Sequence, residues 1–224
     1  MYKNLGRESC FFKDREDACN RLIDILPKEI LKPKETVVLG VSEGGVYFAN
    51  RIADALQSEM DILITEPIYS EVNPELEIAM VGETEKIVMH QALIKAFDIS
   101  KDYIYGEAGR KYREVISTHI DKYRDGKVLD GLNGKFVLFV DESVETGLVM
   151  MTAIKTALSL GAKNVFIAVP VIDNVVYANL VKVCDDLFSP FKIDDYISIE
   201  YYYEELKEFS YVEIEKIMSD NKLN

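Results

Sequence analysis

The segment that decides the fold reads Val137-Leu138-Phe139-Val140-Asp141-Glu142-Ser143-Val144-Glu145-Thr146-Gly147-Leu148-Val149. With Phe136, its first four residues form an uninterrupted apolar run, which is typical of a strand buried on both faces of a parallel sheet. Two acids and a Thr-Gly turn follow, and residues 150–160 show a helical periodicity that Gly161 ends as a C-cap. Another buried strand is predicted at 165–171, so the segment indicates a strand-helix-strand unit with a right-handed crossover.

The same order of elements is predicted earlier in the chain. A short β-branched run at 37–39 leads into a glycine-rich turn at 40–45, and apolar residues then recur at helical spacing from 46 to 56. Further strands are predicted at 61–65 and 186–188, and further helices at 23–31, 175–183 and 212–218. Strands that alternate with such helices predict an α/β fold with a doubly wound, mostly parallel sheet.

Two other stretches have a distinct composition. Residues 100–123 are rich in charge and predict an exposed helix, interrupted at Gly106 and Gly109 and followed by a loop at 124–133. The three consecutive tyrosines at 201–203 predict alternating burial in a terminal strand, with stacking on a nucleobase or another ring substrate as the alternative.

Length and charge limit the classes of function. The chain of 224 residues is expected to form a single domain, 1–224, with its core at about 20–190. Acidic side chains number 39 against 26 basic ones, so the formal net charge is -13. DNA and RNA are not expected partners, because phosphate backbones are bound by clustered Lys and Arg. No stretch approaches the roughly 20 apolar residues of a membrane helix, and the polar residues 1–8 lack a secretion signal, so a cytoplasmic protein without membrane association is expected.

Cysteine and histidine offer little chemistry. Cys10, Cys19 and Cys184 are odd in number and lack metal-ligand spacing, which predicts reduced thiols. His90 and His119 are far apart, so they are interpreted as surface or satisfied polar residues rather than as zinc ligands or members of a triad.

Polar groups converge after the strand at 136–140. Ligands of open α/β sheets bind at the carboxyl ends of strands, where Asp141 and Glu142 lie. The turn and the helix start offer N–H donors and the positive end of a helix dipole to a phosphate, and Thr146 adds a hydroxyl. The two acids suit a ribose diol or a magnesium ion. The alternatives are a solvated strand terminus, or a hydrolase that uses Asp141 as its nucleophile.

In the order and spacing of its strand, its two acids and its Thr-Gly turn, the segment at 137–149 resembles the phosphoribosyl-pyrophosphate signature of type I phosphoribosyltransferases. The resemblance implies their doubly wound fold with a small hood, and a Mg²⁺ cofactor. It implies that Asp141 and Glu142 contact the ribose hydroxyls and the metal, and that Glu145 is a general base. The substrate-binding residues that it implies are Asp141, Glu142, Ser143, Val144, Thr146, Gly147, Leu148, Val149, Ser42, Glu43, Gly44 and Gly45.

The likeness extends along the chain to a subgroup of predicted phosphoribosyltransferases. It is carried by residues 12–18, by 39–46, by Asn73-Pro74-Glu75, which also reads as an ordinary turn, and by 202–206. In those relatives the turn at 40–45 is the pyrophosphate loop and the chain ends form the hood. Many relatives are dimers, so a homodimer is expected by likeness.

Two functions are therefore weighed. The first is transfer of ribose 5-phosphate from phosphoribosyl pyrophosphate to a nitrogen acceptor such as a nucleobase. The second is a catalytically degenerate regulatory module that binds a nucleotide or phosphosugar, which is favoured by departures from the subgroup at Glu43, Glu66 and Val149. The candidate cations for the phosphates lie on the charged helix and are Arg110, Lys111 and Arg113.

Overall fold

The structure is a computed structural model, and it describes residues 11–31 and 35–221. Cys10 and residues 1–8, on which two expectations rested, lie outside this part of the chain. The helices are α1 (Arg15–Ile25), α2 (Glu43–Leu56), α3 (Gln91–Ala96), α4 (Lys101–Lys111), α5 (Ser117–Arg124), α6 (Leu148–Ser159), α7 (Asn174–Leu180) and α8 (Tyr211–Asn221). The strands are β1 (Thr36–Gly40), β2 (Glu59–Ile62), β3 (Thr65–Tyr69), β4 (Glu77–Gly82), β5 (Ile87–Met89), β6 (Phe136–Val140), β7 (Asn164–Ala168), β8 (Val171–Asp173), β9 (Asp186–Phe188) and β10 (Phe191–Ile193).

The central sheet has the strand order β2-β1-β6-β7-β9, and all its strands are parallel. Every residue of β1 and β6 is buried, as the apolar run predicts. The chain leaves β1 towards β2 on one side and leaves β6 towards β7 on the other. The carboxyl ends of β1 and β6 therefore flank a topological switch point, where open α/β sheets bind their ligands.

Helices cover both faces of this sheet. On one face, Leu22 of α1 and Phe48 of α2 pack in a core with Leu138 of β6. On the other face, Ile154 of α6 packs in a second core with Phe139. The prediction of a doubly wound α/β fold is confirmed.

A three-stranded antiparallel sheet, in the order β3-β4-β5, was not predicted. The expected strand at 61–65 is wrong in its bounds, because β2 ends at Ile62 and Thr65 begins β3 in this other sheet. The helix at 101–124 runs through Gly106 and Gly109, so the expected interruption there is wrong. The irregularity lies later, at a π-helical turn over Tyr112–Ile116.

Prolines explain two further corrections. The helix expected at 23–31 lies earlier in the chain, as α1. It ends before Pro27, because proline cannot continue a helix. It begins after Asp14, whose side chain caps it by accepting from the Asp17 N–H at 2.9 Å. The strand expected at 165–171 is divided at Pro170 into β7 and β8, which belong to different sheets.

Segments near the two ends of the described chain meet. Phe12 and Tyr203 form an isolated parallel bridge, and the Glu204 N–H donates to the Phe12 carbonyl at 2.9 Å. Tyr202 and Tyr203 are both buried after a 3-10 turn at Ile199–Tyr201, so alternating burial in a terminal strand is wrong. The single domain and the hood remain predictions. Within the described residues, the helices are too short or too polar to cross a bilayer.

Candidate functional site

A cavity of about 450 Å³ lies at the carboxyl end of β6, beside the end of β1. It gathers residues from the segment after β6, from the start of α2, from β4 and from the chain before and within the 3-10 turn. Its lining consists of Ser42, Glu77, Asp141, Glu142, Ser143, Val144, Glu145, Thr146, Gly147, Val149, Met150, Tyr196, Ser198, Ile199 and Glu200.

Asp141 is bound to the neighbouring helix start. Its Oδ1 accepts a short hydrogen bond from the Ser42 hydroxyl, and the Glu142 N–H donates to the same oxygen at 2.8 Å. Ser42 is also the N-cap of α2, where its Oγ accepts from the Gly45 N–H at 2.8 Å. Burial raises the pKa of Asp141 to about 7, with a further contribution from Glu142 and opposition from the two hydrogen bonds.

Glu142 forms an ion pair with Arg15, which lies at the first position of α1. Its backbone carbonyl accepts a hydrogen bond from the Tyr203 hydroxyl at 2.9 Å. Burial raises the pKa of Glu142, and the nearby Arg15 guanidinium opposes that rise. The carboxylate lies so close to Gly44 that a β-carbon there would overlap it.

The turn between the acids and α6 presents free backbone donors. Gly147 holds the turn in a left-handed conformation, with φ of 76°, which favours glycine. Within the described residues, the N–H groups of Glu145, Thr146, Gly147 and Val149 have no acceptor. The Val144 N–H differs, because it donates to the Val171 carbonyl at 3.0 Å and has nothing left for a ligand.

Two further carboxylates of the lining, those of Glu77 and Glu145, interact electrostatically. Glu77 comes from the first residue of β4, and burial, with the charge of Glu145 second, raises its pKa to about 6. Its Oε1 is buried and has no hydrogen-bond partner among the described residues. Tyr196 lies nearby, with its hydroxyl 2.8 Å from the Ser143 hydroxyl.

Several residues named from the sequence do not line this cavity. Gly44 and Gly45 lie in the first turn of α2, which begins at Glu43, so the expected loop at 40–45 is partly helical. Glu43 lines a separate depression of about 200 Å³ with His119. Leu148 is buried in a small apolar cluster with Met80 and Val88.

The charged helix supplies no cation to the cavity. Arg110 pairs with Glu107 and Glu114 on its own helix, and the Lys111 ammonium lies 3.1 Å from the carboxylate of Glu66. Arg113 is also absent from the lining. The two histidines lie elsewhere too, since His90 caps α3.

The main residues that the sequence reasoning missed are Arg15, Glu77, Tyr196 and Glu200. Arg15 lies within the stretch 12–18 that carries the family likeness, so a signal existed for it. The other three carry no local signal, because tertiary packing alone brings them to the cavity.

A metal ion would find few protein ligands here. Over 11–31 and 35–221, no group of three or more His, Cys, Asp or Glu side chains is arranged to hold one. Asp141 and Glu142 still offer two adjacent carboxylates on one cavity wall. That set fits Mg²⁺, which keeps several waters and binds through one or two carboxylates together with substrate oxygens.

Comparisons with known proteins agree with this geometry. Residues 12–205 match the family described as Phosphoribosyl transferase domain. A protein of Mycobacterium tuberculosis (strain CDC 1551 / Oshkosh), named "Putative phosphoribosyl transferase", is 27% identical over 176 residues, which are 79% of this chain and 39% of that protein. The chain therefore spans well under half the length of the curated relatives that it matches.

A solved structure is also similar. The crystal structure of TT1426 from Thermus thermophilus has a TM-score of 0.75 and 26% sequence identity. The similarity covers 93% of this chain and 98% of the Thermus chain, so the two proteins share their architecture almost throughout.

Proposed function

Because this chain belongs to the phosphoribosyl transferase family, we propose that it transfers ribose 5-phosphate from phosphoribosyl pyrophosphate to a nitrogen acceptor such as a nucleobase. The family and its type I fold are the premise, and the donor, the acceptor and the activity are the proposal. The observation that carries it is the meeting, in one cavity, of the Asp141–Glu142 pair and the turn with the unpaired amides of Glu145, Thr146, Gly147 and Val149.

Each part of the proposed donor has a counterpart in this cavity. The 5-phosphate would accept hydrogen bonds from the N–H groups of Glu145, Thr146, Gly147 and Val149, near the positive end of α6. The Thr146 hydroxyl is a further donor. The ribose hydroxyls would donate to the carboxylates of Asp141 and Glu142, which suits acceptor-only groups.

The acceptor would approach from the wall formed by Glu77, Tyr196 and Ile199. Glu145 lines the same cavity at the start of the turn, and we assign to it removal of the acceptor's proton. Mg²⁺, held by Asp141 and Glu142, would supply positive charge to the leaving pyrophosphate oxygens.

A second function is favoured by one specific observation. Five carboxylates line the cavity, and no Lys or Arg among the described residues does so. Such a site opposes a highly charged pyrophosphate and favours a ligand with fewer phosphates. The alternative is therefore a degenerate module that binds a nucleotide or phosphosugar without catalysing transfer.

Thermal unfolding separates the two proposals. A ligand at 100 times its dissociation constant adds about 2.7 kcal/mol to the free energy of unfolding. The enzyme proposal expects this shift with phosphoribosyl pyrophosphate and Mg²⁺, and pyrophosphate release when the correct base is added. A shift with a nucleotide but none with millimolar phosphoribosyl pyrophosphate would leave only the binding module.

A further inference from the structure

The acidic cavity has a cation directly behind one of its walls. Glu142 lines the cavity, and Arg15, its ion-pair partner, does not. The Glu142 carboxylate therefore stands between the guanidinium and the space available to a ligand. A pyrophosphate group needs a positive partner, and Arg is well suited because its fork of N–H donors matches phosphate oxygens.

Arg15 is held in place by three contacts. Its Nε donates to the Glu142 carboxylate and its Nη1 donates to the Lys207 carbonyl. Its guanidinium also lies over the Phe209 ring, 4.5 Å from the ring centroid. Since only 13% of the side chain is exposed, the charge has a fixed position and a weakly hydrated surface.

The carboxylate of Glu142 occupies a place suited to a phosphate. It lies against Gly44 in the first turn of α2, and only a residue without a β-carbon leaves room for it. The positive end of the α2 dipole also favours an anion at this first turn. An anionic group thus already lies between the start of α2 and a largely buried guanidinium.

We propose that Arg15 is the cation that binds pyrophosphate in this protein, and that Glu142 holds its place when the site is empty. An incoming pyrophosphate would take the position between Arg15 and Gly44. The Glu142 side chain, released from Arg15, would turn into the cavity towards the ribose hydroxyls. This inference rests on the proposed function and adds the contact that the acidic cavity lining lacks.

The test is isothermal titration calorimetry with two probes, inorganic pyrophosphate in the presence of Mg²⁺ and ribose 5-phosphate. Arg15→Gln should weaken pyrophosphate binding by roughly 10- to 100-fold, the effect of losing a hydrogen-bonded charge. It should not weaken ribose 5-phosphate binding, because Glu142 is then free. Arg15→Lys should fall between, since lysine keeps the charge and loses the fork.

Glu142→Gln gives the opposite pattern. It removes the internal competitor, so pyrophosphate should bind more tightly, while ribose 5-phosphate should bind more weakly. Arg21→Gln is the matched control, because Arg21 lies on the same helix, is exposed and pairs with Asp17. That variant should bind both probes like the wild type.

Several results would overturn the inference. One is unchanged pyrophosphate affinity in Arg15→Gln with weaker ribose 5-phosphate binding, which would make Arg15 only a positioning residue for Glu142. Another is weaker pyrophosphate binding in Glu142→Gln. If Arg15→Gln does not fold, Arg15→Lys and Glu142→Gln decide. Wild-type binding of ribose 5-phosphate without pyrophosphate would refute the inference alone, whereas binding of neither probe would refute the proposed function as well.

Discussion

The carboxylates of Glu77 and Glu145 line the same cavity, and the charge of Glu145 disfavours ionisation of Glu77. Glu77 reaches this position from the antiparallel sheet, and Glu145 from the turn before α6. Burial is the larger cause of the raised pKa of Glu77, and the charge of Glu145 is the second. The free energy of unfolding should therefore depend on pH through Glu77.

Glu77→Gln should stabilise the protein at neutral pH. The pKa of Glu77 is raised from 4.5 to about 6 in the folded state, so its ionisation opposes folding. The wild type keeps its full stability below pH 4.5 and loses part of it as the pH rises through 6. After discounting for solvent screening, the variant should gain about 1 kcal/mol at pH 7.5 and nothing at pH 4.5.

Urea unfolding at a series of pH values measures this difference. Glu75→Gln is the control, because Glu75 is exposed and lies in the turn before β4. An advantage of Glu77→Gln that is the same at both pH values would contradict the prediction.

Gly44→Ala should destabilise the protein although alanine favours helices. The new β-carbon would overlap the Glu142 carboxylate and push it away from Arg15. Loss of this charged hydrogen bond should lower the free energy of unfolding by about 2 kcal/mol. Gly106→Ala is the matched control, because a β-carbon there meets open space within α4. It should raise stability by about 0.5 to 1 kcal/mol. Equal responses of the two variants would show that the Glu142 side chain yields without effect.

Thr146→Val should weaken binding of a phosphate-bearing ligand and leave folding intact. Thr146 is exposed in the cavity, and valine has nearly its shape without the hydroxyl. A lost hydrogen bond to a charged acceptor lowers affinity by roughly 10-fold. Calorimetry with ribose 5-phosphate measures this, with Thr118→Val on an exposed helix face as control. Unchanged affinity would place the phosphate away from this turn.

Arg124→Met should be strongly destabilising. Arg124 donates to Glu83, and the side chains of both residues are almost fully buried. The other oxygen of Glu83 accepts from the Ile64 N–H at 3.0 Å, so this carboxylate joins the antiparallel sheet to the helix at 117–124. Removing the guanidinium leaves a buried charge and should cost about 3 kcal/mol. Urea denaturation should show no comparable loss for Arg110→Met, which removes an exposed cation.

The sequence was most informative where one short segment determines its own environment. The apolar run at 136–140 is typical of a strand buried inside a parallel sheet, and the sequence predicted the strand, the two acids and the turn in their correct order. Helix bounds were predicted less accurately. The helix expected from residue 46 begins at Glu43, because Ser42 caps α2 there.

The rest of the site depends on contacts between distant parts of the chain. The pairing of Arg15 with Glu142, and the arrival of Glu77 and Tyr196 at the cavity, follow from tertiary packing that no local periodicity records. The antiparallel sheet escaped prediction in part because Pro67 lies within β3, and proline argues against a strand except at a sheet edge.

The bridge between Phe12 and Tyr203 also has a kinetic meaning. It closes a loop that contains nearly the whole described chain, and contacts of such sequence separation form only after a large entropic penalty has been overcome. Neither residue of the bridge belongs to the parallel sheet. We therefore expect the segment at 203–209, which contacts Arg15, to dock late during refolding. The ligand site would then form after the central sheet.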